Sequence, residues 1–368
     1  MPTVIREILP EDAESIRQFN LRLEKAGVEF AFPVESSGLM PKNSDVDAPC
    51  QAAYVLSDGS AVRGGYILKS ELVFVGEQGV PVGNYQLPLS EGIVDRKFAM
   101  VGVQLIKDAL GRQPRLYCLG MGSTSRPLPR LLSKLGWTVS TVPFLFRIQN
   151  AGNFTKEIRW LRKGAVVRLA LDLARYTGAL AVIVGLPRVR RRVFGSGTPA
   201  GVSFAEVADL PEEIDELFSR VRGHYGLLGD RRAAAMRTKL PTHDSRLVRI
   251  VLRKSGTIAG WVVVSISQLS NHTQFGNMKL GCIVDGLAAP ADVELLIREA
   301  CRRLDEARCD LLVSNQTHPA WIDGLRQQGF YQGPSNFILA ISPAFQASRS
   351  AGSTAHFNRA DGDGPINL

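Results

Sequence analysis

Apolar positions along this chain recur at two spacings, every second residue and every third or fourth, and the two spacings take turns in a set order. "TVIREIL" (Thr3 to Leu9) alternates and predicts a strand, after which Pro10-Glu11-Asp12 opens a helix with an acidic start that suits the helix dipole. "AAYVLSD" and "VRGGYILKSELVFVG" predict strands turning at Asp58-Gly59. "NYQLPLSEGIVD" predicts a further strand and "FAMVGVQLIKDALG" an apolar-striped helix closed by Gly111. "RLYCLGMG" then predicts a buried strand, "PLPRLLSKLGW" a helix and "VPFLFRIQ" the strand that closes the set.

The same order returns later in the chain. "VSFAEVADLPEEIDELFSRVRGHY" gives strand, proline start and helix, and "DRRAAAMRTKL" a short second helix. A hairpin turns at Ser255-Gly256, followed by a strand ("MKLGCIVDGLAAP"), a helix ("ADVELLIREACRRLDEA") and a strand ("DLLVSNQ"). "PAWIDGLRQQGF" is a helix, "GPSN" a tight turn and "NFILAIS" the closing strand. Gly136-Trp137 corresponds to Gly329-Phe330, and Phe144-Leu145-Phe146 to Phe337-Ile338-Leu339, at one constant offset. This is an internal duplication with a period of roughly two hundred residues, which means two domains. The expected class is α/β, a mixed sheet with helices on both faces in each domain. The expected boundaries are 1–152 and 201–343, a partly helical connector at 153–200 and an untethered tail at 344–368.

Charge sharpens the connector. Between Asn153 and Phe194 ten Lys/Arg face only Glu157 and Asp172, so this segment holds nearly all of the net +9. A helix packed between domains, a basic amphipathic segment on an anionic membrane (156–192) and a nucleic-acid contact all remain open, the last weakened by sparse aromatics. The five cysteines are unpatterned and no CxxC or HExxH occurs, so neither a metal nor a disulfide framework is expected. Asp361 and Asp363, beside two glycines, are too few for a calcium loop. Met1 to Pro10 lacks the apolar stretch of a cleavable signal, and a cytoplasmic setting, with membrane-peripheral as the alternative, is the expectation.

The doubled order of elements, with "IVDGLAAP" (Ile283 to Pro290) and "WIDGLRQQGF" as local matches, resembles the GNAT (Gcn5-related N-acetyltransferase) fold. Tandem units of this kind occur in mycothiol synthase and the Fem-type peptidyltransferases, and the layout is also similar to acetyltransferase-like proteins associated with bacterial exopolysaccharide synthesis. The resemblance implies acyl transfer from acetyl-CoA or another acyl-CoA, the pantetheine arm lying between the family's splayed fourth and fifth strands. It places the donor along Leu87 and Leu89 and at "KFAMVG", where Lys97, Met100, Val101 and Gly102 stand in for the family's pyrophosphate loop. In the second half that loop is missing, since Pro290 runs straight into a helix start carrying Asp292. Glu91 and Asp285 are the implied catalytic bases, with Ser90, Tyr225 and Asn315 as acceptor-side residues. The family's general-acid tyrosine is absent, Leu132 and Leu325 holding the nearest places. The acceptor is a hydroxyl or amine, conceivably on a sugar or glycan precursor. A catalytically degenerate scaffold of a polysaccharide assembly system and a Fem-like aminoacyl-tRNA-dependent transferase are the alternatives.

Overall fold

The computed structural model of the chain describes residues 3–41, 48–59, 61–122, 124–158, 199–349 and 354–362. They form two units. The first takes the described residues of 1–141, 227–230 and 336–353, the second those of 142–226, 231–335 and 354–368.

In the first unit, β1 (Thr3–Glu7), β2 (Cys50–Asp58), β3 (Ala61–Val75) and β4 (Gln78–Ser90) are antiparallel neighbours. β5 (Leu116–Met121) runs parallel to β4. The sheet is completed by β6 (Thr138–Thr141) and by β15 (Phe337–Ile341), which lies between β5 and β6 and is antiparallel to both. β9 (Leu227–Gly229) pairs with the far end of β3. Three helices are amphipathic by sequence and cover the sheet. α1 (Ala13–Lys25) buries Ile16, Phe19 and Leu23 at helical spacing, and α2 (Val101–Arg112) buries Val101, Leu105, Ile106 and Ala109. α3 (Pro127–Lys134) contributes Leu132, which packs with Trp137, Tyr66 and Ala340 in one core.

The second unit has the order β14-β7-β13-β12-β11-β10-β8. These are β14 (Tyr331–Gly333), β7 (Phe144–Ile148), β13 (Leu311–Asn315), β12 (Lys279–Ala288), β11 (Thr257–Gln268), β10 (Leu247–Lys254) and β8 (Val202–Val207). Its helices are α4 (Ala151–Glu157), α5 (Ile214–Val221), α6 (Ala233–Lys239), α7 (Val293–Glu306) and α8 (Pro319–Gln327). The remaining short helix, α9 (Pro343–Ala347), belongs to the first unit. β12 is buried along almost its whole length, as a central strand covered on both faces must be.

Each half therefore ends in a strand that completes the other half's sheet, which corrects the expectation that "VPFLFRIQ" and "NFILAIS" close their own sets. The units change over at Thr141/Val142 and at Ser335/Asn336. Both crossings carry a proline, Pro143 and Pro334. A two-residue hairpin needs positive φ at its central positions, and proline is locked near −65°, so β7 cannot fold back onto β6 through Val142-Pro143. "GPSN" is accordingly a crossing and not a tight turn, with Ser335 Oγ donating to Val142 O at 2.6 Å.

Three further expectations change. Gly111 lies inside α2, which ends at Arg112. The expected connector starts too early, because α4 is packed into the second unit through Phe154 and Thr155, and Asn150 and Asn153 donate to Asp310. Residues 159–198 of the connector lie outside the described residues. The tail is ordered at two places, α9 and residues 354–362, where His356, Phe357, Asn358 and Asp361 are buried.

Candidate functional site

β4 and β5 pair only at Gly83–Leu116 and Asn84–Tyr117, and then part. At the point of parting the β3–β4 ladder shifts register between Gly65 and Ile67. Leu87, on the bulged side, has φ 44, a left-handed conformation costing a non-glycine residue about 1–2 kcal/mol. A bulge of this kind re-aims the backbone groups that follow it. Across the opening β5 ends in three left-handed residues, Gly120, Met121 and Gly122.

The chain then returns to the same place. Ser90 Oγ accepts the Gly92 N–H at 3.1 Å, Asp95 accepts the Lys97 N–H at 2.9 Å, and α2 begins after Met100. A Cβ at Gly102 would lie 4.0 Å from Ser90 Cβ and Oγ, so the first turn of α2 stands beside the end of β4. The first helical hydrogen bond, Gln104 N–H to Met100 O at 3.0 Å, leaves the amides before it for an outside acceptor, which makes this end a place for an anion. Leu89, Ser90 and Val101 are buried there, while Lys97 and Met100 are exposed. The structure thus brings Leu87, Leu89, Ser90, Val101 and Gly102 to one place.

Glu91 directly follows β4 and is buried. Both of its oxygens are engaged, by Arg22 Nε at 2.8 Å and Arg63 Nη1 at 3.0 Å. Arg22 also donates to Val62 O at 2.7 Å, and the Arg63 guanidinium lies 4.4 Å from the Phe98 ring centroid. Neither arginine was singled out from the sequence. They stand far from Glu91 along the chain, on α1 and β3, and only the strand pairing brings them to it. Leu132, in the place of the family's tyrosine, is fully buried core.

The second unit has the same opening with a different content. β12 and β13 pair from Leu280–Leu311 to Ile283–Ser314 and then part, beside a register shift at Val263/Val264. Asp285, just beyond, is completely buried, and its Oδ1 accepts from Arg231 Nε at 3.0 Å, Asn358 Nδ2 at 2.5 Å and the Gly286 N–H at 2.7 Å. Arg231 also binds Asp361 at 2.7 Å, with Lys239 Nζ 3.8 Å from the same carboxyl group. Burial and the nearby Asp361 push the Asp285 carboxyl up against the pull of Arg231, whereas Arg231 and Lys239 draw Asp361 down despite its burial. Asp285 thus lies in a buried network with Arg231, Asp361 and Lys239.

Tyr225 is also fully buried, donating to Ala288 O at 2.6 Å, stacked on His356 and tilted against His318. Asn315 is buried and donates to Pro143 O at 3.3 Å. Neither lines an open groove. At the start of α7 the N-cap residue Asp292 makes no cap hydrogen bond and is paired with Lys254, which puts a negative charge at the end of the helix where an anion would bind. Of the network around Arg231 the sequence had shown only Asp285 and Asp361, because the partners Arg231, Lys239 and Asn358 carry no motif spacing.

No family model matches the sequence, nor does any curated protein. Solved structures do. A tandem GNAT protein from the clavulanic acid biosynthesis pathway is 14% identical with a TM-score of 0.50, the match covering 93% of this chain and 99% of that one. A Saccharomyces cerevisiae N-myristoyltransferase with bound myristoyl-CoA is 13% identical with a TM-score of 0.54, covering 93% and 79%. A GCN5-related N-acetyltransferase from Anabaena variabilis is 13% identical with a TM-score of 0.52, covering 92% and 72%. At these identities the likeness speaks for the fold alone: the chain has the tandem GNAT fold.

Proposed function

We propose that this tandem GNAT-fold chain is an acyl-CoA-dependent acyltransferase whose donor lies in the first unit. The observation that carries the proposal is the opening between β4 and β5, with the bulge at Leu87 on one lip and the free first turn of α2 beside Ser90. An extended arm can pair with the open edge of β4, while the amides at Val101 and Gly102 and the cation of Lys97 take the pyrophosphate. Backbone N–H groups near the bulge would polarise the thioester oxygen. The acceptor attacks the thioester carbon and loses a proton as CoA leaves as the thiol. Glu91, with Arg22 and Arg63, is the polar group at the acceptor end. The likeness of the layout to exopolysaccharide-associated acetyltransferase-like proteins is the support for a hydroxyl or amine on a sugar or glycan precursor as acceptor. Asp285 is assigned no chemistry, because it is buried and held by Arg231, Asn358 and the Gly286 N–H.

Release of free CoA thiol from acetyl-CoA, measured across amine and sugar acceptors, tests this. Acceptor-dependent release that falls at least about tenfold in Glu91→Gln, with folding intact, is expected. Acceptor-dependent release unchanged in that variant would remove Glu91 from the site. Two observations favour a second reading, a binding module without turnover: both oxygens of Glu91 are held by arginines, and buried Leu132 replaces the family's acid. Acyl-CoA binding without release over every acceptor would decide for it.

A further inference from the structure

We propose that residues 355–361 are a built-in occupant of the opening in the second unit, taking the place that an extended ligand would take there and closing that unit to acyl-CoA. The proposal rests on the assignment of such openings to acyl-CoA made above. β12 and β13 have no ladder pair beyond Ile283–Ser314, and the C-terminal segment bonds to both lips past that point. On the β12 side, a ring nitrogen of His356, Nε2, is 3.0 Å from Gly286 O, and Asn358 Nδ2 donates to Asp285 Oδ1 at 2.5 Å. On the β13 side, the Thr317 N–H donates to Phe357 O at 3.1 Å, the Phe357 N–H donates to Thr317 Oγ1 at 2.8 Å, and Asn358 bridges to Gln316.

The segment is locked as well as placed. Asp361 accepts the Asn358 N–H at 3.0 Å while binding Arg231 Nη2 at 2.7 Å, and Arg231 in turn holds Asp285 of β12. His356, Phe357, Asn358 and Asp361 are all essentially inaccessible to solvent. A ligand entering here would have to strip a buried carboxylate from a buried guanidinium, leaving a charge unpaired in the interior. At the start of α7 in this same unit the N-cap residue is Asp292, an acid paired with Lys254, where the matching position before α2 is the uncharged Met100. In the first unit β4 and β5 are each other's neighbours in the sheet, and past Asn84–Tyr117 no strand pairs between them among the described residues.

Hydrogen exchange on the full chain, with and without acetyl-CoA, tests the proposal. The amides of Thr317, Phe357 and Asn358 are expected to exchange at least about a hundredfold more slowly than unstructured chain. Acetyl-CoA is expected to protect 85–102 and to leave 283–288 and 355–361 unchanged. In His356→Ala/Asn358→Ala, peptides 283–288 and 314–318 should lose protection while 83–90 and 116–121 do not. Exchange of 355–361 at unstructured rates in the unmodified protein would overturn the proposal without any variant. So would protection of 283–288 by acetyl-CoA with loosening of 355–361. If acetyl-CoA protects neither unit while 355–361 stays protected, the acyl-CoA assignment of the first unit falls and the internal occupancy stands.

Discussion

Gly136 and Gly329 show how a single residue type sets a corner. Both have left-handed φ, 81° and 75°. The Trp137 and Phe330 amides each reach back to Leu132 O and Leu325 O at 3.1 Å, which is a Schellman closure with its aromatic turned into the core. A methyl at either glycine forces an L-residue into that region, so Gly329→Ala should lower stability by about 1–2 kcal/mol in urea unfolding. An unchanged midpoint would mean that the corner relaxes. The buried charges predict more: Asp361→Asn should cost about 3–5 kcal/mol, since it leaves Arg231 and Lys239 short of an anion. A loss below about 1 kcal/mol would mean that solvent reaches the network. Acid should act on the same unit. Burial pushes His318 down to about 4, and burial together with Arg231 holds His356 well below its ordinary value. Both are neutral when folded, while unfolded histidine takes up a proton near pH 6.5. Stability should therefore fall as pH drops from about 6.5 towards 4, because the unfolded chain binds the extra protons. Replacing both histidines by glutamine should flatten that slope in pH-dependent urea unfolding, and an unaltered slope would assign the acid sensitivity elsewhere.

At the scale of elements, β7 and β15 carry the lesson about legibility. Period-two alternation and matching aromatics identified both as strands, and the corner before each as a helix end. Which sheet they enter was not legible, because the two strands offer similar apolar faces. The nearest signal was the proline in each crossing, which forbids the tight return that a self-closed half would need. Residues 1–158 alone, lacking β15 between β5 and β6, should show no cooperative unfolding by circular dichroism. A sharp transition in that fragment would show that β7 can fill the slot after all. The candidate site divides the same way. Leu87 to Gly102 are close in sequence and were legible as one region, whereas Arg22 and Arg63 meet Glu91 only through long-range pairing. The C-terminal segment looked untethered because its hold depends on Asn358 and Asp361 meeting partners more than seventy residues away.

Over the whole molecule, duplication has left two openings of one kind with unequal fates. The first is the donor site proposed above, beside the uncapped start of α2; the second holds the chain's own C-terminal segment, with the acid Asp292 at the start of the matching helix. No helix among the described residues is long and apolar enough to cross a membrane. The central claim is that acyl-CoA binds this chain once, in the first unit. Titration calorimetry with acetyl-CoA on the unmodified protein, on Gly102→Glu and on Ala291→Glu tests it most directly. Gly102→Glu sets a carboxylate in the first turn of α2, and Ala291→Glu sets one just before α7. The account predicts one molecule bound per chain, binding abolished by Gly102→Glu and unaffected by Ala291→Glu. No heat at millimolar acetyl-CoA, two molecules per chain, or loss of binding in Ala291→Glu alone would contradict it.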